Sequence, residues 1–251
     1  MRIDLWLRKN KRKVFFEMLS ILRNLLSGDG FGLEDMIHIF VLLFVVICCT
    51  PVHESAHAWM AERLGDSTGR LKGRISLNPL VHIDIIGAVL ILLFGFGYAK
   101  PVPVNIRNFP VQKRKLYFAL VALAGPVSNL SMALVFSLLQ SVMHFVLIRG
   151  FSAATVVQVA FYFFSYACYI NIALAVFNLI PVPPLDGSRL ITAVLPDRLY
   201  YKLMSLERYS MWIIFLALFI FNRIGFSPLS ILTTWVYNAF SFLTGLPFGL
   251  N

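Results

Sequence analysis

Charge is scarce in this sequence. Asp, Glu, Lys and Arg make up 14% of its 251 residues, and hydrophobic residues make up 59%. Soluble domains sit near a quarter and a half. Mean hydropathy is +0.77. Such a composition excludes a disordered chain and argues against a soluble enzyme. Acidic residues are scarcer still, 12 against 22 basic, for a net charge of +10. Cysteine is nearly absent: Cys48, Cys49 and Cys168 lie in apolar runs and form no C-x-x-C pair. That excludes a disulfide scaffold and a cysteine zinc knuckle, and leaves three packing residues. Repeats, low-complexity tracts and a linker to a second domain are also missing. What remains is a set of long apolar runs, the mark of an integral membrane protein with several spans. The positive charge then reads as loop anchoring by the positive-inside rule. No nucleic-acid module accompanies it, so no nucleic-acid partner is expected.

The N-terminal segment, residues 1–30, begins with basic Met1–Lys13 and continues into Val14–Ser27. Leu19, Leu22 and Leu26 recur there at helical spacing, but the stretch is too short to span, so a helix in the membrane interface is expected. Met36–Leu64 is the first span. Ile83–Tyr98 is apolar yet holds Asp84 and several glycines, which predicts a re-entrant element. Ala99–Val104 carries Pro101 and Pro103 and reads as extended chain. Long apolar runs follow at Leu116–Ile148, interrupted by Gly125-Pro126, and at Ala153–Ile180. Met211–Phe221 and Leu229–Leu246 predict a C-terminal hairpin. The expected fold is an all-α polytopic membrane protein of about five spanning helices. A core over 31–208 would carry the chemistry, and 209–251 would form the hairpin. Arg63, Arg70, Lys72 and Arg74 follow the first span; Lys100, Arg107, Lys113, Arg114 and Lys115 precede the next; Arg189, Arg198, Lys202 and Arg208 follow Pro184. Only Arg149 and Arg223 mark the opposite turns, which places those three loops on the cytoplasmic side.

The first span contains His53-Glu54-Ser55-Ala56-His57. Residues i and i+4 share a helix face. Two imidazoles so placed can ligate one zinc, and the glutamate between them can act as base on water that zinc acidifies. Two histidines and a glutamate in a membrane helix are costly to bury and call for a function. A catalytic zinc needs a third protein ligand. Asp186 stands out among the acids near membrane segments, because Pro181, Pro183, Pro184 and Gly187 force open backbone around it, as at the lining of a cavity. His38 lies about four turns before His53, too far along the helix to join it. His144 reads as a packed or interfacial residue. Trp6, Trp59, Trp212 and Trp235 read as interface or packing residues.

In five places the chain resembles the site-2 protease family of intramembrane zinc metalloproteases. His53-Glu54-x-x-His57 resembles its zinc helix. Asn178-x-x-Pro181-x-Pro183-x-Leu185-Asp186-Gly187 resembles its N-x-x-P-x-P-x-L-D-G motif, and Gly125-Pro126-x-x-Asn129 its G-P-x-x-N element. Gly73–Pro79 and Lys100–Val104 resemble the strand-forming stretches after the zinc helix, which implies a short β element there. The match in order and spacing runs over about Met36–Leu195 and is nearest to short prokaryotic-type members without PDZ or CBS modules.

The resemblance implies hydrolysis of peptide bonds in transmembrane segments, as in regulated intramembrane proteolysis. It implies one Zn2+ per chain, held by His53, His57 and Asp186, with Glu54 as general base. Asn129 and Asn178 are candidate oxyanion or substrate-binding donors, and His82 a candidate support for a ligand. The expected partners are a membrane-protein substrate and the lipid bilayer, in a prokaryotic plasma membrane with the site toward the cytoplasm. Two other classes stay open: a zinc or ion transporter, which gives Glu54 no special role, and a catalytically silent membrane scaffold.

Overall fold

A computed structural model describes residues 32–87, 89, 99–149, 155–196, 198–199, 205, 214, 216–217, 220 and 228–246. The expected N-terminal interfacial helix, most of the re-entrant element at 83–98 and most of the first hairpin arm at 211–221 lie outside those residues.

Helix α1, Leu33–Phe44, runs without a break through a π turn at Val45–Cys49 into α2, Thr50–Arg63. Asp35 Oδ2 accepts from Gly32 N at the start, 3.0 Å away. The π turn has a local cause. Pro51 has no N–H to return to the carbonyl one turn back, and its ring crowds that carbonyl. The helix widens to accommodate it: Thr50 N donates five residues back to Val45 O, and Thr50 Oγ1 donates to the same carbonyl. The end of α2 is a Schellman turn. Gly65 takes φ +108°, Gly65 N donates to Glu62 O, and Asp66 N donates to Ala61 O.

Two short helices follow, α3 at Thr68–Leu71 and α4 at Pro79–His82, and then two single 3-10 turns. The long helix α5 spans Arg114–Ile148 and α6 spans Thr155–Asn178. The short α7 runs from Asp186 to Val194, and α8 from Pro228 to Leu243. Three helical stretches are long and apolar enough to cross a membrane, Asp35–Arg63, Val111–Ile148 and Thr155–Asn178. The protein is therefore an all-helical membrane protein, with three such spans among the described residues.

The helix faces explain the packing. The buried face of α5 carries small residues, Ala119, Ala122, Gly125, Ala133 and Ser137. Without water to drive association, small side chains let helix backbones approach in lipid. Val41, Val45 and Cys49 pack with Tyr166 and Ala167 of α6. Ala133 of α5, Cys168 and Ile172 of α6, and Tyr237 of α8 form a second cluster. Phe40, Leu138, Val142, Trp235 and Phe242 stay exposed, as side chains that face lipid do.

The expected β element does not form. Among the described residues there is no strand, and 73–78 and 99–105 are irregular chain. Pro101 and Pro103 supply no ladder donors. The polar groups of these stretches are taken up elsewhere. Ser76 N donates to Ser55 Oγ, Lys100 N to His82 O, and Asn105 N to Asp66 Oδ2.

Candidate metal centre

The site is built from three elements. Helical periodicity puts His53 and His57 of α2 on one face, and both are 8% exposed. The third residue, Asp186, opens α7. It arrives there because the chain turns sharply after α6: Val182 N donates to Ile180 O, Leu185 N to Val182 O, and Ser188 Oγ to Leu185 O. Gly187 is required by the closeness of that turn, since a Cβ would collide with the Leu179 and Ile180 carbonyls.

The ligand atoms converge. His57 Nε2 lies 3.1 Å from His53 Nε2, and each is 3.4 Å from Asp186 Oδ2. Tetrahedral zinc with bonds of ~2.0–2.1 Å sets its ligand atoms about 3.3–3.4 Å apart. Two edges of the observed triangle match one face of such a tetrahedron, and the edge between the imidazoles is about 0.2 Å short of it. Two imidazoles and one carboxylate are also a donor set suited to catalytic zinc, which keeps its fourth position open. His53, His57 and Asp186 are the group of acidic, histidine or cysteine residues placed to hold a metal ion among the described residues.

The sequence matches peptidase family M50 over residues 39–221. The protein belongs to that family and is a zinc metalloprotease. Among curated proteins, "Putative zinc metalloprotease YwhC" of Bacillus subtilis is 41% identical over 182 residues, covering 71% of this chain and 80% of that one. "Putative zinc metalloprotease Rip2" of Mycolicibacterium smegmatis is 28% identical over 144 residues, 54% of this chain and 50% of that one. "Putative zinc metalloprotease MJ0611" of Methanocaldococcus jannaschii is 31% identical over 110 residues, 43% and 49% of the two chains. No solved structure matches.

Two supports of this M50 site come from α5, one without a sequence signal and one visible there only as a motif glycine. His57 Nδ1 lies 2.8 Å from the Val121 carbonyl. Donation to that oxygen holds the proton on Nδ1 and leaves Nε2 free to ligate. The second is Gly125. A Cβ there would fall inside contact distance of His57 Nε2 and Cε1 and of His53 Cε1. The glycine of G-P-x-x-N is thus the gap through which α5 reaches the imidazoles, and Pro126 beside it brings no N–H to the helix ladder.

The other expected residues are placed as follows. Glu54 is half-buried, beside His53 on α2. Asn129 is 2% exposed on α5, and its Oδ1 has no partner. Asn178 ends α6 and is half-buried, just before the turn that delivers Asp186. His82 is fully buried but bonds none of the three ligand side chains. Its Nε2 lies 2.8 Å from the Ser76 carbonyl, which also accepts from Ser55 Oγ of α2. His82 braces the loop that wraps the metal helix. The His38 ring lies 3.9 Å from that of Tyr166, and the His144 ring 6.2 Å from that of Phe161, both within the helix packing.

Two buried groups near the helix end escaped the sequence reading. Arg74 Nη1 donates to Val81 O at 2.6 Å and tethers the same loop. Asp66 accepts from Thr68 N, Thr68 Oγ1, Asn105 N and Asn108 Nδ2. Burial works to raise the Asp66 carboxyl, and these donors outweigh it and hold it below the usual carboxylate range. The Asp66-Ser67-Thr68 run was the available signal, an Asx turn at a helix boundary.

Proposed function

We propose that the protein is an intramembrane protease that hydrolyses peptide bonds in the transmembrane segments of other membrane proteins. In this reading His53, His57 and Asp186 hold one zinc. The converging donor triangle of two imidazoles and one carboxylate carries the proposal. When bound, zinc polarises the scissile carbonyl and brings the pKa of water toward ~7. Glu54 stands one residue from a ligand on the same helix, accepts the proton of the attacking water on its carboxylate, and returns it to the leaving nitrogen. Asn178 and Asn129 are the candidate amide donors to a developing oxyanion. A substrate helix must unwind to expose its peptide bonds. The irregular chain at 73–78 and 99–105 would pair with an extended substrate by strand addition through backbone groups other than those bonded to Ser55, His82 and Asp66. Proline substitutions there that left cleavage unchanged would discard that last element.

The basic residues that follow α2, precede α5 and follow Pro184 support a cytoplasmic-facing site, in a prokaryotic plasma membrane. Irregular backbone such as 179–185 is tolerated at membrane depth when it lines a cavity, which would supply the water.

The test compares wild type with Glu54→Gln on single-span substrates in detergent and in proteoliposomes, with bound metal measured in both. The variant should keep its zinc and lose roughly 10²–10⁴-fold in cleavage rate, the scale of general-base catalysis. Wild-type protein that binds no zinc, or Glu54→Gln cleaving at the wild-type rate, overturns the reading. Zinc flux into vesicles without cleavage would establish a transporter instead.

A further inference from the structure

Metal-ligating histidines usually hold their second ring nitrogen on a hydrogen-bond acceptor. His57 does so through Val121 O. His53 does not: its Nδ1 is buried with no partner. Two amide oxygens on neighbouring helices share that condition, Asn129 Oδ1 on α5 and Asn171 Oδ1 on α6. Asn129 is 2% exposed and Asn171 fully buried.

The helix register brings the three together. Helices α2 and α5 run antiparallel. Ala61 packs with Val121, His57 bonds the Val121 carbonyl, and Gly125 abuts both His57 and His53. Further along, Cys49 shares a cluster with Met132 and Phe136. Asn129 therefore falls opposite the turn from Cys49 to His53. From the other side, Asn171 Nδ2 donates to Cys49 Sγ at 3.6 Å and to Ala167 O at 2.8 Å. Those two bonds fix the Asn171 amide and aim its oxygen away from them. Side chains on a helix lean toward its N-terminus, which directs the His53 ring to the same turn.

The donor count closes with a single molecule. When Nε2 of His53 ligates a metal, Nδ1 must carry the proton and becomes a donor. The two amide oxygens are acceptors. One water accepts from Nδ1 and donates to both oxygens, the three bonds typical of a buried water. We propose that His53 is oriented by one buried water shared between Asn129 and Asn171, which act as positioning residues for the metal ligand. The inference rests on His53 being a ligand, as proposed above.

The test uses the full-length protein in detergent, stripped of metal and titrated with zinc against a competing chelator. The variants are Asn129→Leu, Asn171→Leu, the double variant and Asn129→Asp, which keeps an acceptor. Each leucine variant should bind zinc ~10–100-fold more weakly, the usual effect of losing such a support. The double variant should resemble the singles, because either change removes the shared water. Asn129→Asp should bind at least as tightly as wild type. The cobalt(II) absorption spectrum should shift in Asn129→Leu, while its metal-free melting temperature should change little, since without metal the His53 ring need not be held in one orientation. Both leucine variants binding zinc within twofold of wild type would overturn the inference. So would a zinc defect matched by an equal loss of metal-free stability. Should Asn171→Leu fail to fold, having lost its bond to Ala167 O, the Asn129 pair and the cobalt spectrum still decide. Wild-type protein that takes up no zinc would instead overturn the assignment of His53 as a ligand.

Discussion

Alanine at Gly125 is the sharpest perturbation the site offers. The added carbon would sit 2.6 Å from His53 Cε1, and closer still to the His57 ring. Carbon atoms in contact prefer about 3.5–4.0 Å, so the rings must withdraw by about 1 Å or α5 must shift. Neither is free, because His57 is tied to Val121 O on the same helix. Overpacking of this kind costs about 1–3 kcal/mol. Metal-free protein can relieve part of it by turning the imidazoles away, whereas a bound metal holds them in place. The strain should therefore appear as weaker zinc binding, by about 5- to 150-fold at 1.4 kcal/mol per tenfold. At saturating zinc a 1 Å misplacement should still cost on the order of 10² in rate. Chelator competition and substrate cleavage in detergent read the two effects. Gly73→Ala is the control: its Cβ would meet nothing within 4 Å, so its cost is confined to the backbone at φ +67°, and it should leave zinc affinity unchanged. Gly125→Ala binding zinc within twofold of wild type and cleaving normally would refute the close-approach argument.

Two further outcomes test the frame around the site. Asp66 titrates lower in the folded protein than in the unfolded chain. Its stabilisation is thus complete above the unfolded value of ~3.9 and fades as pH falls through the folded one. Thermal melts in detergent should show a loss of stability below about pH 4 that is smaller in Asp66→Asn; an unchanged acid profile would show that the Asp66 node contributes nothing. Tyr237 OH links Gln140 of α5 to Ser165 of α6 at 2.9–3.1 Å. Tyr237→Phe should destabilise by about 0.6–2 kcal/mol, and Gln140→Leu in that background should cost less than in wild type; strict additivity would refute the network.

The metal helix was legible in the sequence because its logic is local. In H-E-x-x-H the spacing alone places both imidazoles on one face, and the helix supplies the geometry. The spans were equally legible, since apolar length is a composition property. The strands expected at 73–78 and 100–105 did not form. Extended propensity says nothing about a ladder partner, and Ser55, His82 and Asp66 take up the polar groups a ladder would have used. Asp186 could be suspected from the prolines around it. Its distance from the imidazoles depends on how α6 and the turn at 179–185 carry it back to α2, which only the tertiary fold decides.

The same division holds for the finer parts of the centre. Gly125 was visible as a motif letter, but the reason for a glycine is a collision between helices far apart in sequence. The Val121 carbonyl has no sequence signal, because every residue carries a carbonyl and only packing selects one. Asn171 carries no motif signal within its apolar run; its place beside Cys49 follows from the crossing of α1–α2 with α6. The sequence alone determined which donors exist and which of them share a helix face. Helix packing decided which donors meet, since contacts between distant segments depend on register and approach that no local pattern encodes.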